Sequence, residues 1–565
     1  MQDFETRFRE ARGLQEAGLY SEAKAEYEKI VLDYPNRLGP LQLLAWVNSQ
    51  LGLWPESIDS LSKAIELSPN DPHSYYIMGV VMCKFGSWVA GIECFDRALD
   101  LKPNHLDALC DRGSAQLEIR QFDSALESYK CALTINNKYA AAYFGCGNAL
   151  SALRRSDEAT ECFSAAIIHN PIYYEAYINL GNIYHEGGSF TNALKCFEKA
   201  ILIEPNDSLA HANRSIQLKY LHRLDESLAS IDIAISLKPE YYDAYWNRAL
   251  THLLMGNLKQ GFRDYQYRWE TKHFQPIKRN FYQPIWLGEE SLKGKTVFIF
   301  NEQGFGDSIQ FCRYATLIKK AGASVIYEVE DALLPLFATL DGVDRFIRVG
   351  EQIPKFDYYC PSMSLPIGFG TEINSVPCSI PYLHADEEKI RTWENKLGVR
   401  KRLRIGLCWS GSPTHRGDKR RSIPLIELFS YLPAGFEYVS LQREIRESDN
   451  FDFKNRSEIK FFTQDLIDFS VTAALASTLD LVITVDTSIA HLAGALGLDT
   501  WVLLPHTPDW RWMLARDDSI WYPTMKLYRQ EKDRDWNSCL VKLGQDLSNF
   551  LLDRSNPLNN TDLID

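Results

Sequence analysis

Through the first 270 residues, apolar side chains recur at spacings of three and four in short blocks, and the blocks return every 34 residues. The stretch YYEAYINLGNIYHEGGSFTNALKCFEKAILIEPN holds one period: two amphipathic helical patterns meet at a glycine-containing turn, and the second ends before a proline. Pro35, Pro69, Pro103, Pro171, Pro205 and Pro239 stand 34 or twice 34 residues apart, with Asn137 at the skipped place. Small residues keep the same register at Ala64, Ala98, Ala132, Ala166, Ala200 and Ala234, and again at Ala45, Gly79, Gly113, Gly147, Gly181, Ser215 and Ala249. Such positions mark where helices touch closely, so the pattern predicts helix pairs that stack because none can bury its apolar face alone. Seven to eight units are expected over residues 1–270, with an atypical first one ending near Pro35.

After YRWETKHFQPIKRNFYQPIW the register stops and short β-rich runs alternate with helical ones. Strands are expected at Thr296–Phe300, Ser324–Val329, Leu403–Trp409, Phe436–Leu441, Asp480–Val485 and Thr500–Leu504. Strand–helix alternation over this length predicts two doubly wound, Rossmann-like parallel sheets facing across a cleft. The expected organisation is a repeat array (1–270), a linker (271–293), two α/β domains (294–400 and 401–545) and a flexible tail (546–565).

At 565 residues the chain is too long for one core. Its net charge of −13 argues against a chain-wide nucleic-acid-binding role, which needs a basic face. No run of 18 apolar residues is present, so no membrane span is expected, and the charged start MQDFETRFREARGLQEAG suggests a soluble, non-secreted protein. The 12 cysteines form no CxxC pair, which fits a reducing cytoplasm and offers no zinc site.

Three stretches carry candidate chemistry. In NEQGFGDSIQFCRY, glycines follow a strand and present Asp307 at the carboxyl end of a sheet, where ligands bind in parallel folds; alternatively Asp307 caps a helix beginning at Ser308. In VITVDTSIAHLAGALG, Asp486, Thr487 and Ser488 open a helix whose free amides favour an anion, and His491 either reaches a ligand or packs. In CWSGSPTHRGDKRRSIPL, His415, Arg416, Lys419, Arg420 and Arg421 gather positive charge suited to a diphosphate, or else form a solvated loop. In the repeats, Asn179, Asn213 and Asn247 share one register position, with Asp111 two units before Asn179. A row of amides offers donors and acceptors to the backbone of an extended peptide, unless asparagine is simply common there.

The 34-residue pattern resembles the tetratricopeptide repeat, and the amide row resembles the asparagine ladder of O-GlcNAc transferase. EQGFGDSIQFCRY, CWSGSP…RRSIPL, SLQRE and DTSIAHLAGALG, in this order over residues 290–545, resemble bacterial glycosyltransferases related to ADP-heptose:lipopolysaccharide heptosyltransferases. The resemblance implies a tetratricopeptide superhelix followed by a GT-B fold, with an acceptor domain preceding a nucleotide-sugar domain. It further implies inversion at the anomeric carbon, no essential metal and no cofactor beyond the nucleotide-sugar donor. Asp307 would be the general base. Lys419 or Arg421, with Asp486, Thr487, Ser488 and His491, would meet the donor, and Gln442 stands where the family has a ribose-contacting glutamate. Ser488 and Ile489 replace the family's glycine and proline. The acceptor implied is a protein held by the repeats, flagellin-like or another surface protein. The rival expectations are a catalytically silent scaffold, or a transferase acting on a lipid or polysaccharide.

Overall fold

The computed structural model describes residues 2–415, 417–449 and 458–555, so Arg416 of the basic loop lies outside the described residues. Residues 2–265 form helices joined by short turns, from Gln2–Glu16 to Leu258–Tyr265. The 34-residue register has a direct steric cause. A Cβ on Gly79, Gly113, Gly147 or Gly181 would lie 2.5 to 2.8 Å from the ring of Phe95, Tyr129, Phe163 or Phe197 on the next helix. The in-register alanines from Ala64 to Ala234 are all fully buried. Each aromatic side chain thus fills the space that the small residue of its partner helix leaves open. The turn between paired helices also repeats, with Gly18, Gly52, Gly86, Arg120, Arg154, Gly188, His222 and Gly256 all at positive φ. Glycine takes this conformation freely, whereas Arg120, Arg154 and His222 hold it under strain.

Two compact units divide the chain, residues 1–217 and 218–565. The first is built from the repeat helices, with their apolar faces collected into successive small cores. The second opens with the end of the Ser208–Tyr220 helix and the helices to Tyr265, then carries two parallel sheets. The helical pattern therefore runs to residue 265, while the compact-unit boundary falls earlier, inside a repeat.

The first sheet comprises β1 (Thr296–Phe300), β2 (Ser324–Val329), β3 (Arg345–Arg348) and β4 (Tyr358–Pro361), in the order β3-β2-β1-β4. The second comprises β5 (Arg404–Cys408), β6 (Glu437–Ser440), β7 (Ile459–Lys460), β8 (Leu481–Val485), β9 (Thr500–Leu504) and β10 (Met525–Arg529), in the order β10-β9-β8-β5-β6-β7. Numbered within its own sheet, that order is 3-2-1-4-5-6, the dinucleotide-fold arrangement, with its reversal between β5 and β8. All the paired strands are parallel.

Two expected segments differ. Residues 271–293 are packed rather than a spacer: Phe281 sits against Phe298 and Phe356, and the Trp286 amide donates to the Tyr359 carbonyl at 2.9 Å. The flexible tail expected from residue 546 is instead, as far as Ser555, part of the Asn537–Ser555 helix, because Leu540, Leu543 and Leu547 recur on one face and are fully buried. Residues 556–565 lie outside the described residues.

Gly147→Ala is expected to destabilise the repeats by about 1–3 kcal/mol, through overpacking against Phe163. Arg154→Gly, which relieves a positive φ of 60°, should stabilise them by roughly 1 kcal/mol. Urea unfolding followed by far-ultraviolet circular dichroism checks both signs.

Candidate functional site

The loop leaving β1 is pinned residue by residue. Asn301 donates to Glu330 at 3.0 Å and accepts from Tyr327 at 3.0 Å, and Gln303 donates to the Tyr265 hydroxyl at 2.7 Å. The Glu302 side chain is buried and pairs at 2.8 Å with the buried Arg268, whose guanidinium also donates to Ser364 and to the Tyr265 carbonyl. The helix that follows is Phe305–Phe311, capped by Gly304. Asp307 therefore stands in the first turn rather than at the cap before Ser308. One of its oxygens accepts from the Gly304 amide at 2.9 Å. The other is bound by Arg511.

Arg511 comes from the loop leaving β9. Its guanidinium donates to Asp307, to Gln310 and, at 2.9 Å, to Asp509, and it lies 4.3 Å over the Trp510 ring. The acid from the first sheet is thus held at the carboxyl edge of the second. Burial raises the Asp307 carboxyl above its ordinary range, and Arg511 opposes that shift. Gly306 explains the glycines of the loop: a Cβ there would lie 2.8 Å from the His491 ring and 3.5 Å from Ser488 Cα. Only a residue without a side chain lets the two helices meet so closely.

At the β5/β8 reversal, Asp486 follows the last residue of β8 and Thr487 caps the Ser488–Ala495 helix, accepting from the Ile489 amide at 3.3 Å. Burial, and next the neighbouring Asp509 carboxylate, push the Asp486 carboxyl up to about 6. Arg421 crosses from the loop after β5 and donates to the Asp486 carbonyl at 2.8 Å. Lys419, in contrast, is exposed. The structure brings Asp307, Arg421, Asp486, Thr487 and Ser488 to one edge, together with Asp509 and Arg511, which the sequence reading missed. A signal for those two was present in PHTPDWRW, which follows a buried strand at the ligand-binding edge of a parallel sheet.

Two expected donor contacts are engaged elsewhere. Gln442 is buried and grips both backbone groups of Ser410, its amide donating to the carbonyl at 3.0 Å and its oxygen accepting from the N–H at 3.3 Å. It shapes the β5 exit loop. His491 is a core residue, bonded to the Tyr522 hydroxyl at 3.0 Å and stacked on Trp512. Burial, then the nearby arginines Arg511, Arg313 and Arg421, hold its pKa well below the ordinary value.

In the repeats, Asn179 donates to Asn148 at 2.8 Å and Asp111 accepts from Tyr76 at 2.9 Å. Both therefore tie helices of successive repeats together. Asn247 donates to the Asp243 carbonyl of its own helix at 3.0 Å, and Asn213 is half-buried.

The tetratricopeptide repeat family matches residues 174–207. The helical half carries tetratricopeptide repeats. Protein FlbA of Caulobacter vibrioides is 24% identical over 376 residues, covering 61% of this chain and 62% of that protein, so the chain spans less than two thirds of its relative's length. Among solved structures, a tetratricopeptide repeat protein from Parabacteroides merdae is 16% identical with a TM-score of 0.36, covering 44% of this chain and 99% of its own. One from Thermus thermophilus is 23% identical with a TM-score of 0.27, covering 32% of this chain and 99% of its own. Among the described residues, no helix is long and apolar enough to cross a membrane.

The histidine gives a signed prediction. Because the folded protein holds His491 neutral while the unfolded chain protonates it near its ordinary value, its contribution is present above about pH 6.5 and lost as pH falls. Asp486 acts oppositely: with a pKa raised to about 6 it supports folding while protonated, and that support is lost as pH rises through this value. Comparison with His491→Gln isolates the histidine term. The stability difference between wild type and variant should shrink by up to about 1.4 kcal/mol per pH unit below about pH 6.5, measured by urea unfolding.

Proposed function

We propose that the second unit is an inverting, metal-independent glycosyltransferase of GT-B type that moves a sugar from a nucleoside diphosphate sugar to a hydroxyl on a protein recruited by the repeats. The carrying observation is the convergence at the β5/β8 reversal. A helix N-terminus at Thr487 and Ser488 and the guanidinium of Arg421 stand beside a carboxylate, Asp307, delivered from the other sheet. The nucleotide sugar lies on the second sheet, with its diphosphate toward the Ser488 amide and Arg421. Asp307 takes the proton of the acceptor hydroxyl as that oxygen attacks the anomeric carbon and the diphosphate leaves. Such a base contributes about 10² to 10⁴ in rate. The tetratricopeptide repeats supply the protein-binding surface.

A silent scaffold is the second reading, favoured by one observation: both oxygens of Asp307 are occupied, by Arg511 and by the Gly304 amide. Hydrolysis of a panel of nucleotide sugars by the purified protein separates the two. Asp307→Asn, which preserves size, should still bind the nucleotide sugar and lose at least about 100-fold in kcat. A variant turning over at the wild-type rate would remove Asp307 from the base role.

Arg421→Ala is expected to weaken nucleoside diphosphate binding by about 1.5–3 kcal/mol in titration calorimetry, and Lys419→Ala by less. Changing Asn179, Asn213 and Asn247 together to alanine should reduce modification of the protein acceptor while leaving nucleotide-sugar hydrolysis intact. Unaltered helical circular dichroism must accompany that result, because Asn179 also bridges two repeats.

A further inference from the structure

The last turn of the Ser208–Tyr220 helix carries a cation toward this site. Lys219 lies in the last turn of the Ser208–Tyr220 helix, within the second unit. Its neighbours fix that turn: the Tyr220 carbonyl accepts from Thr507 Oγ1 at 3.2 Å and from Arg534 Nη2 at 2.8 Å, and Arg420 lies 4.7 Å over the Tyr220 ring. His222 Nε2 is 3.1 Å from Thr507 Oγ1, and its ring stacks on His506 at 4.1 Å. The turn is therefore docked against the loops leaving β9 and β5, the same loops that supply Asp509 and Arg421.

Lys219 itself is half-buried. Burial, followed by the like charge of Arg420, pushes its ammonium down to about 8, with Asp509 pulling the other way. Asp509 is already bound by Arg511 at 2.9 Å, and among the described residues no carboxylate closes an ion pair with Lys219. Lys219 Nζ lies 5.9 Å over the Tyr220 ring that Arg420 also covers, so two cations gather at one ring. A bound anion would offset the desolvation of Lys219 and the repulsion between the two cations.

We propose that Lys219 is an anion-binding residue of the phosphate site, holding a phosphate group of the ligand together with Arg420 and Arg421. The identity of that ligand as a nucleoside diphosphate rests on the function proposed above; the anion site does not. The site is then complete only with the last turn of this repeat helix in place.

Inorganic pyrophosphate and the full chain provide the test. Titration calorimetry at neutral pH should show binding about tenfold or more weaker for Lys219→Met, with Lys219→Arg close to wild type. The titratable and charged groups around Lys219 are Arg420 and Asp509, with Tyr220 under its ammonium and Arg534 on the Tyr220 carbonyl. Of the variants, only those keeping lysine titrate near pH 8 at this position. A bound anion raises the lysine's pKa, so wild type should take up more protons on binding near pH 8 than Lys219→Arg, read in buffers of different ionisation enthalpy; the ligand's own titration cancels between the two proteins. Wild-type affinity in Lys219→Met would overturn the proposal, as would no binding to the wild type. If Lys219→Met melts well below wild type, the proton-uptake comparison decides, and equal uptake overturns it. Nucleotide-sugar turnover plays no part in this readout. Lysine-dependent pyrophosphate binding by a protein that hydrolyses no nucleotide sugar would sink the transferase reading alone.

Discussion

The buried guanidinium of Arg511 is the constraint on which the sheet-bearing unit turns. It joins Asp307 of the first sheet to Asp509 of the second and adds a bond to Gln310. A buried ion pair is weak evidence of stability in itself, because desolvation consumes much of the attraction. Removing one partner is another matter, since it strands a charge away from water. Arg511 therefore fixes geometry: with it in place, the helix bearing Asp307 and the helix opened by Thr487 meet at Gly306. Arg268 and Glu302 make a second pair of this kind, joining the 3₁₀ turn after the last repeat helix to the loop that leaves β1.

These two pairs give the loop NEQGFGDS little freedom. Asn301, Glu302, Gln303 and Asp307 each have a named partner, and the partners come from β2, from the last repeat helix and the 3₁₀ turn after it, and from beyond β9. A carboxylate restrained in this way is ordered by the fold itself, which is the physical meaning of preorganisation.

How much was legible follows from how local each cause is. β1, β2 and β9 were readable to the residue because each is a run of apolar and β-branched side chains bounded by turn residues. β3 and β4 were missed: RFIR and YYCP are short, and one ends in proline. The two-residue β7 and the Lys- and Arg-bearing β10 are equally quiet. The repeats announced themselves because the contact between a glycine and an aromatic ring recurs at fixed spacing. In the site, Asp486 and Thr487 were legible as a strand end opening a helix. Arg511 was not, because its partner Asp307 lies 204 residues away and only tertiary packing joins them. For His491 the sequence left two roles open, reaching a ligand or packing, and the fold packs it against Tyr522 and Trp512.

The turn between paired helices has a wider consequence. At most repeats it is a glycine with no side chain to offer, whereas at residue 222 it is a histidine held at a positive φ of 58°. That imidazole reaches outward and lies flat on His506. A solenoid presents this turn once per repeat, always at the same place on its edge, so a single substitution converts an inert corner into an attachment point. A repeat can thus gain a new contact at its corner without altering the small-residue and aromatic contacts that hold the helix pairs together.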